Sequence, residues 1–178
     1  MNNISDVLHG HLATHVFEDD GSFPNNPHLP ALVIKGALHL HPDDDADCII
    51  ELFKKNNWTN AWKDGIFDYH HYHSTTHEVL GVFCGTADVQ LGGPEGTCVE
   101  IHRGDIVVIP AGVAHKNLKS SPDFLCVGAY PEGMDYDMNY GKAEERPQVL
   151  ENIANVPLPL TDPVFGESGP VLDAWKNK

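Results

Sequence analysis

The segment GIFDYHHYHSTTHEVLGVFCG, residues 65–85, contains the pattern from which the fold of this chain can be predicted. One residue separates His71 from His73, and Glu78 follows five positions later. Residues 65–73 are rich in aromatics, lack proline and are predicted as a strand. Side chains on a strand alternate between its faces, so both histidines are predicted to point the same way. The polar residues 74–77 allow a turn, and 78–84 is predicted as a return strand that presents Glu78 to the histidines. A helix would not place residues two apart on one face.

A second segment, GDIVVIPAGVAHKNLK at residues 104–119, adds a third histidine. Residues 106–109 are predicted as a buried strand that Pro110 ends, and His115 follows the turn. Imidazole and carboxylate groups are ligands that Mn, Fe, Co, Ni and Zn accept. The sequence therefore predicts a site for one divalent transition-metal ion, held by His71, His73, Glu78 and His115.

The coordination number of the ion distinguishes an open site from a closed one. Four protein ligands on an ion that prefers six leave positions for water or a small polar molecule. The same four ligands on tetrahedral zinc would close the site and indicate a structural role. A histidine cluster that binds no metal is a third possibility, and four candidate ligands at the spacing that strand geometry requires favour a metal site over it.

The two segments resemble the two sequence motifs of the cupin superfamily. Every fixed position of the first motif is filled, by Gly65, His71, His73, Glu78 and Gly85. In the second motif Lys119 stands where Asn is usual, and the other fixed positions are filled by Gly104, Pro110, Gly112 and His115. The motifs span residues 65–119, about a third of the chain.

The resemblance implies an RmlC-like cupin, an all-β double-stranded β-helix that forms a small antiparallel jelly-roll barrel. It also implies a metal ion on the four-residue set. The wider text, including residues 23–27 and 70–73, is similar to the YjlB-type branch of bacterial single-domain cupins. Cupins of this kind include oxygenases, isomerases and decarboxylases, so fold and ligands together do not choose a reaction.

The 178 residues are predicted to form one cupin domain, 1–178. Residues 1–57 would supply N-terminal strands and one amphipathic helix over 43–56, which covers an end of the barrel. Residues 58–130 would form the cupin core with both motifs. The tail 131–178 has little regular pattern and is predicted as an extended C-terminal arm, packed on the barrel or on a partner subunit.

Composition limits the partners. The net charge of −15, from 11 basic and 26 acidic residues, disfavours nucleic acid and anionic membranes as partners.

The chain shows no N-terminal apolar run, which makes a cytoplasmic location the expectation. Four cysteines without a CxxC pair predict reduced, buried thiols. Apolar N-terminal strands and an apolar arm predict a homodimer, which light scattering coupled to sizing would test.

The expected ligand is a small polar molecule, bound either for turnover or by a non-catalytic metabolite-sensing or metal-sensing module. Two residues are candidates for catalysis: Tyr69, which shares the parity of His71, and Glu78, as a proton acceptor. Phe67 has the same parity and is predicted to fill the core. Second-sphere or solvated roles are predicted for His70 and His77.

Overall fold

Nine strands and a few short helices make up the computed structural model, which describes residues 11–176. The strands are β1 (Leu12–Phe17), β2 (Asn26–Ile34), β3 (Trp58–Asp64), β4 (Glu78–Cys84), β5 (Thr86–Leu91), β6 (Thr97–His102), β7 (Ile106–Ile109), β8 (His115–Ser120) and β9 (Leu125–Pro131). The helices are α1 (Ala46–Lys55), a 3-10 helix (Ala143–Glu145), α2 (Gln148–Asn155) and α3 (Pro170–Ala174). Among residues 11–176, no helix is both long and apolar enough to span a bilayer.

The strands pair into two antiparallel sheets. The larger sheet has the order β1-β2-β7-β4-β9-β3, and the smaller sheet has the order β6-β5-β8. Side chains from both sheets meet in one apolar interior, for example Leu80 and Val107 from the larger sheet and Val89 and Ile101 from the smaller. This arrangement is the all-β, double-stranded β-helix barrel that the resemblance to the cupin motifs implies.

Strand β7 is apolar at every position because both of its faces are buried. Val107 and Ile109 point into the barrel interior, whereas Ile106 and Val108 belong to a second apolar layer on the outer face of the larger sheet. The same alternation on β4 sends Leu80 into the barrel. Glu78 and Leu80 are two residues apart on β4, so their side chains point to the same, interior face. This face of β4 therefore begins with a buried carboxylate.

Helix α1 lies within the predicted range 43–56. The Asp45 side chain accepts a hydrogen bond from the backbone N–H of Asp47 at 3.0 Å and caps the first turn. The expectation that this helix covers an end of the barrel is wrong. Its Ile49 and Phe53 pack on the outer face of the larger sheet, where a Cβ at Gly81 would lie only 3.0 Å from both side chains. The absence of a side chain at Gly81 lets the helix approach β4 closely.

The C-terminal arm packs on the barrel and contains two α-helices that the sequence analysis did not predict. Helix α3 brings Val171 and Trp175 into the outer apolar layer, and the Trp175 indole N–H donates to the Pro30 carbonyl at 2.9 Å. The fully buried Asp162 carboxylate accepts from the N–H groups of Val164 and Val171, which fixes the bend of the arm. Both helices are short, so tertiary contacts rather than helix propensity stabilise them.

The segment between β3 and β4 is extended but is not the regular strand predicted over 65–73. His71 and His115 exchange two backbone hydrogen bonds, at 3.2 and 2.9 Å, in an isolated bridge. Asn117 donates to the carbonyl of Phe67 at 2.9 Å. Between these two contacts the segment advances by four residues, from Phe67 to His71, whereas β8 advances by only two, from His115 to Asn117. That mismatch interrupts the ladder, as a bulge does.

The prediction of buried thiols is correct for Cys126 alone. Cys48 and Cys98 are exposed, Cys84 is half-buried, and all four cysteines are free. Cys48 lies on α1 and Cys98 on β6, at positions that face water rather than the core.

Candidate metal centre

Three histidines and one glutamate meet at one end of the barrel interior. His71 and His73 come from the irregular segment before β4, Glu78 is the first residue of β4, and His115 is the first residue of β8. One ring nitrogen from each histidine lies within 4.8 Å of the other two. The Glu78 carboxylate lies 3.6 Å from His73 Nε2 and 3.4 Å from His115 Nε2. All four residues are at least 94% buried.

The backbone fixes the orientation of each imidazole. The Nδ1 atom of His71 lies 3.0 Å from the Tyr69 carbonyl oxygen, and that of His115 lies 3.1 Å from the Val113 carbonyl. A carbonyl oxygen only accepts, so Nδ1 carries the proton and Nε2 presents its lone pair. His73 follows the same rule, with its Nδ1 2.6 Å from the Asp137 carbonyl. Metal-binding histidines are held by such bonds in many proteins.

The charges of the cluster favour a cation. Burial lowers the pKa of His71 to about 3, and its histidine neighbours add to this effect. Burial also opposes protonation of His73, but the facing Glu78 carboxylate outweighs it and raises the pKa of His73 above its usual value. Burial would favour neutral Glu78, yet His73 and His115 outweigh it and lower the pKa of that carboxyl. Glu78 is therefore ionised among three imidazoles.

This donor set fits a divalent transition-metal ion. Three lone pairs with fixed tautomers lie within 4.8 Å of one another, and a buried carboxylate lies beside two of them, which is the chemistry that such ions require. Burial of an ionised carboxylate without a compensating cation is costly. The residues that would hold the ion are the predicted set, His71, His73, Glu78 and His115.

Sequence reasoning missed Asp137, which lies 18 residues past the second motif. Its carbonyl holds His73, and its carboxylate accepts from the Ser74 N–H at 2.7 Å and from the Ser74 hydroxyl. The same carboxylate accepts from the Asn139 side chain at 2.8 Å. Asp137 thus fixes the His73 loop against the start of the C-terminal arm. No spacing rule in the sequence connects these two segments.

Replacement of Asp137 by alanine is expected to lower the affinity for a divalent ion by roughly 10- to 100-fold, because the loop that carries His73 loses its anchor. Isothermal titration with Co²⁺ or Zn²⁺ measures this change. Asp135→Ala is the matched control, since Asp135 is an exposed aspartate on the same segment. Equal ion affinities for the Asp137→Ala and Asp135→Ala variants would contradict the anchoring role.

A cavity of about 320 Å³ opens over the cluster. His71, His73, Glu78 and His115 line its polar end. The other walls are mainly aromatic or aliphatic, and are formed by Trp62, Ile66, Phe67, Leu80, Tyr130, Tyr136 and Met138. The cluster is therefore buried from bulk solvent but accessible to a small molecule, which is the usual arrangement of a ligand pocket.

Tyr130 is a second functional candidate that the sequence analysis missed. Its hydroxyl oxygen accepts a hydrogen bond from the Trp62 indole N–H at 2.8 Å, so its own proton is free to point elsewhere. Burial and the nearby Glu78 carboxylate raise the pKa of Tyr130, which keeps the phenol protonated. A protonated hydroxyl at the wall of the cavity is suited to donate to Glu78 or to a bound ligand.

The remaining candidates lie around the cluster. Tyr69 is 40% exposed and packs edge-on against His71, with ring centroids 5.7 Å apart. It does not line the cavity, and its catalytic role stays a prediction. Phe67 does not fill the core, since it is 52% exposed at the cavity. His70 packs against Phe23 rather than into the cluster. His77 accepts from the Ala111 N–H at 2.9 Å and packs on Trp175, so it too points away.

The barrel topology, the two motifs and the three histidines with Glu78 together define the molecule as a cupin. No family model matches the chain. "Uncharacterized protein YjlB" of Bacillus subtilis (strain 168) is 44% identical over 162 residues, which cover 91% of this chain and 95% of that protein. The chain therefore belongs to the YjlB family.

Solved cupin structures resemble the chain more distantly. Acireductone dioxygenase from Bacillus anthracis, with cadmium in its active centre, is 17% identical with a TM-score of 0.41, over 60% of this chain and 82% of that one. The epimerase RmlC from Legionella pneumophila is 14% identical with a TM-score of 0.40, over 70% and 74% of the two chains. A double-stranded β-helix protein from Klebsiella pneumoniae is 15% identical with a TM-score of 0.38, over 72% and 91%. These similarities do not indicate a reaction for this chain.

Proposed function

We propose that this protein is a metal-dependent cupin in which one divalent ion, held by His71, His73, Glu78 and His115, binds a small polar molecule. The observation that carries the proposal is the convergence of three Nε2 lone pairs and a buried carboxylate at the floor of a 320 Å³ cavity. Fe, Mn, Ni, Co and Zn all accept these ligands, so the donor set leaves the identity of the ion open.

The open cavity supports a ligand-binding role over a structural zinc site. A structural site is closed by four protein ligands and needs no adjoining space. Here the cluster borders an open volume that is also lined by Ile66 and Leu80 of the barrel interior. A non-catalytic sensing module has the same requirement for space, and it remains the alternative to an enzyme.

The chain's own groups favour turnover within this proposal. When bound, the ion would supply Lewis-acid or, if iron, redox chemistry. Glu78 is an ionised carboxylate that accepts a proton when its contact with a histidine is broken. Tyr130 holds a proton at its hydroxyl beside Glu78, positioned by the Trp62 indole. Acid–base steps in oxygenase, isomerase or decarboxylase reactions require a proton acceptor and a proton donor at the same ligand site.

Co²⁺-loaded protein tests the proposal. Purified without an affinity tag, the protein is expected to bind about one Co²⁺ per chain and to change its visible absorption when lactate, a small oxygen chelator, is added. A closed structural site would hold the ion with no spectral response to lactate. Elemental analysis of the protein as purified then identifies the native ion.

The homodimer stays a prediction. Exposed Leu158 and Leu160 on the arm and Val16 on the edge strand β1 form apolar surface that a second copy can cover. A monomer mass in light scattering at concentrations well above micromolar would contradict it. All four candidate ligands come from one chain, so the metal site does not depend on the assembly.

A further inference from the structure

We infer that the ligand of this site carries an apolar, ring-sized body next to its metal-binding oxygen atoms, and that Phe67 and Tyr136 bind this body. The inference rests on the proposed metal-dependent function and adds the class of the ligand to it.

The composition of the cavity walls is the first observation. Apart from the four candidate metal ligands, the lining consists of seven aromatic, aliphatic or thioether side chains together with Gly65, Lys63 and Asp64. Lys63 and Asp64 are both exposed. A ligand with a polyhydroxylated body would therefore place many of its hydroxyl groups against ring and aliphatic surface, where the Tyr130 and Tyr136 hydroxyls are among the few partners, which is unfavourable. An apolar body has no such hydroxyl groups to leave unpaired.

Two exposed aromatic rings beside the cluster are the second observation. Phe67 is 52% exposed, and its ring stands edge-on to His71 with centroids 5.3 Å apart. Tyr136 is 46% exposed and stands edge-on to His73 at 5.2 Å. The candidate metal ligands are thus bordered by apolar ring surface on the His71 side and on the His73 side. Large aromatic side chains left open to solvent beside a polar site indicate a binding surface.

Packing holds both rings in place. Phe67 stacks on Tyr69 with centroids 5.0 Å apart and an interplanar angle of 16°. Tyr136 stacks on Tyr130, also at 5.0 Å and with an angle of 22°. Rings held by a stacking partner lose little conformational entropy when a ligand arrives, so they bind an aromatic or aliphatic ring at low cost.

The size of the cavity is sufficient for a chelating end and one ring. A volume of about 320 Å³ lies at the lower end of the range for small-molecule pockets. An oxygen-bearing chelating end at the histidines and one six-membered ring between Phe67 and Tyr136 would occupy this space.

A matched pair of 2-hydroxy acids tests the inference. Lactate and 3-phenyllactate share the chelating end and differ by one phenyl ring. Calorimetric titration of the Co²⁺-loaded protein is expected to give an affinity for 3-phenyllactate at least roughly tenfold above that for lactate, because the ring is buried against apolar walls. Equal affinities for the two acids, or no binding of either acid to the ion-loaded protein, would overturn the inference.

Two variants assign the effect to the named residues. Phe67→Ala and Tyr136→Ala are each expected to weaken 3-phenyllactate binding about two- to tenfold while the lactate affinity is retained. Both side chains are about half exposed, so neither variant removes core packing. Leu118→Ala is the control, since Leu118 is 45% exposed and lies outside the lining. Unchanged 3-phenyllactate affinity in both test variants would remove these residues from the proposed binding surface.

The two levels of the proposal fail separately. A protein that takes up no divalent ion contradicts the metal-dependent function and the inference together. A protein that binds one ion and responds to lactate, but does not prefer 3-phenyllactate, contradicts the inference alone.

Discussion

Simultaneous replacement of His71 and His73 by alanine is expected to reduce the bound divalent ion from about one per chain to less than about a tenth. The two histidines supply half of the candidate ligands, and each presents a lone pair fixed by a backbone carbonyl. Glu78 and His115 alone are a two-ligand set, which does not retain an ion through purification. Elemental analysis of the untagged protein measures the occupancy.

The barrel is expected to remain folded in this variant. Its interior is built from apolar side chains of both sheets, such as Leu80, Val89 and Val107, and the histidines lie at one end of it. Circular dichroism checks the fold. A double replacement of the exposed His28 and His102 removes the same number of imidazoles away from the site and should leave the ion bound. Full occupancy in the His71→Ala/His73→Ala variant would rule out the proposed ligand set.

Ion affinity is expected to fall roughly tenfold for each pH unit below the raised pKa of His73, a decline that begins above the usual histidine value of about 6.5, because a proton on His73 competes with the ion. The Glu78 carboxylate raises the pKa of His73 despite burial, so this histidine is already protonated in the ion-free site at mildly acidic pH. The pKa of His71 is shifted in the opposite direction, below its usual value. Its pKa of about 3 keeps it neutral, and it competes only in strong acid. One proton should therefore be released per ion bound between pH 5 and 6.

Titration calorimetry in buffers of different ionisation enthalpy counts the released protons. Glu78→Gln is the informative variant, because it removes the carboxylate that raises the pKa of His73. In this variant the proton competition should begin at lower pH, while the ion affinity at pH 8 falls through the loss of a ligand. An ion affinity that is constant from pH 7 to pH 5 in the unaltered protein would show that His73 is not a ligand.

The ligand set is the part of the site that the sequence predicts most completely. His71, His73 and Glu78 are near neighbours in the chain, and His115 follows a turn of recognisable composition. Local rules of strand parity and turn formation act over such distances. They correctly bring the three histidines together with Glu78 beside two of them, even though the segment that carries two of the histidines is irregular rather than a regular strand.

The groups around these ligands could not be predicted in the same way. Asp137, Tyr130 and Tyr136 are separated from His73 by more than fifty residues. They reach it only because β9 pairs with β4 and the chain then turns back over the cluster. An aspartate in a tail of low periodicity carries no local signal that its carbonyl will orient a histidine.

The sequence by itself determined one helix within 43–56 and the candidate ligands, and its resemblance to the cupin motifs determined the barrel class, because alternation, capping and motif spacing are properties of short segments. The tertiary structure alone decided which aromatic rings face the cavity, and it placed Phe67 at the opening rather than in the core. It also decided that the arm closes on the barrel through Trp175 and Asp162. Such contacts depend on the packing of segments that are far apart in the chain, and no single segment contains the information that determines this packing.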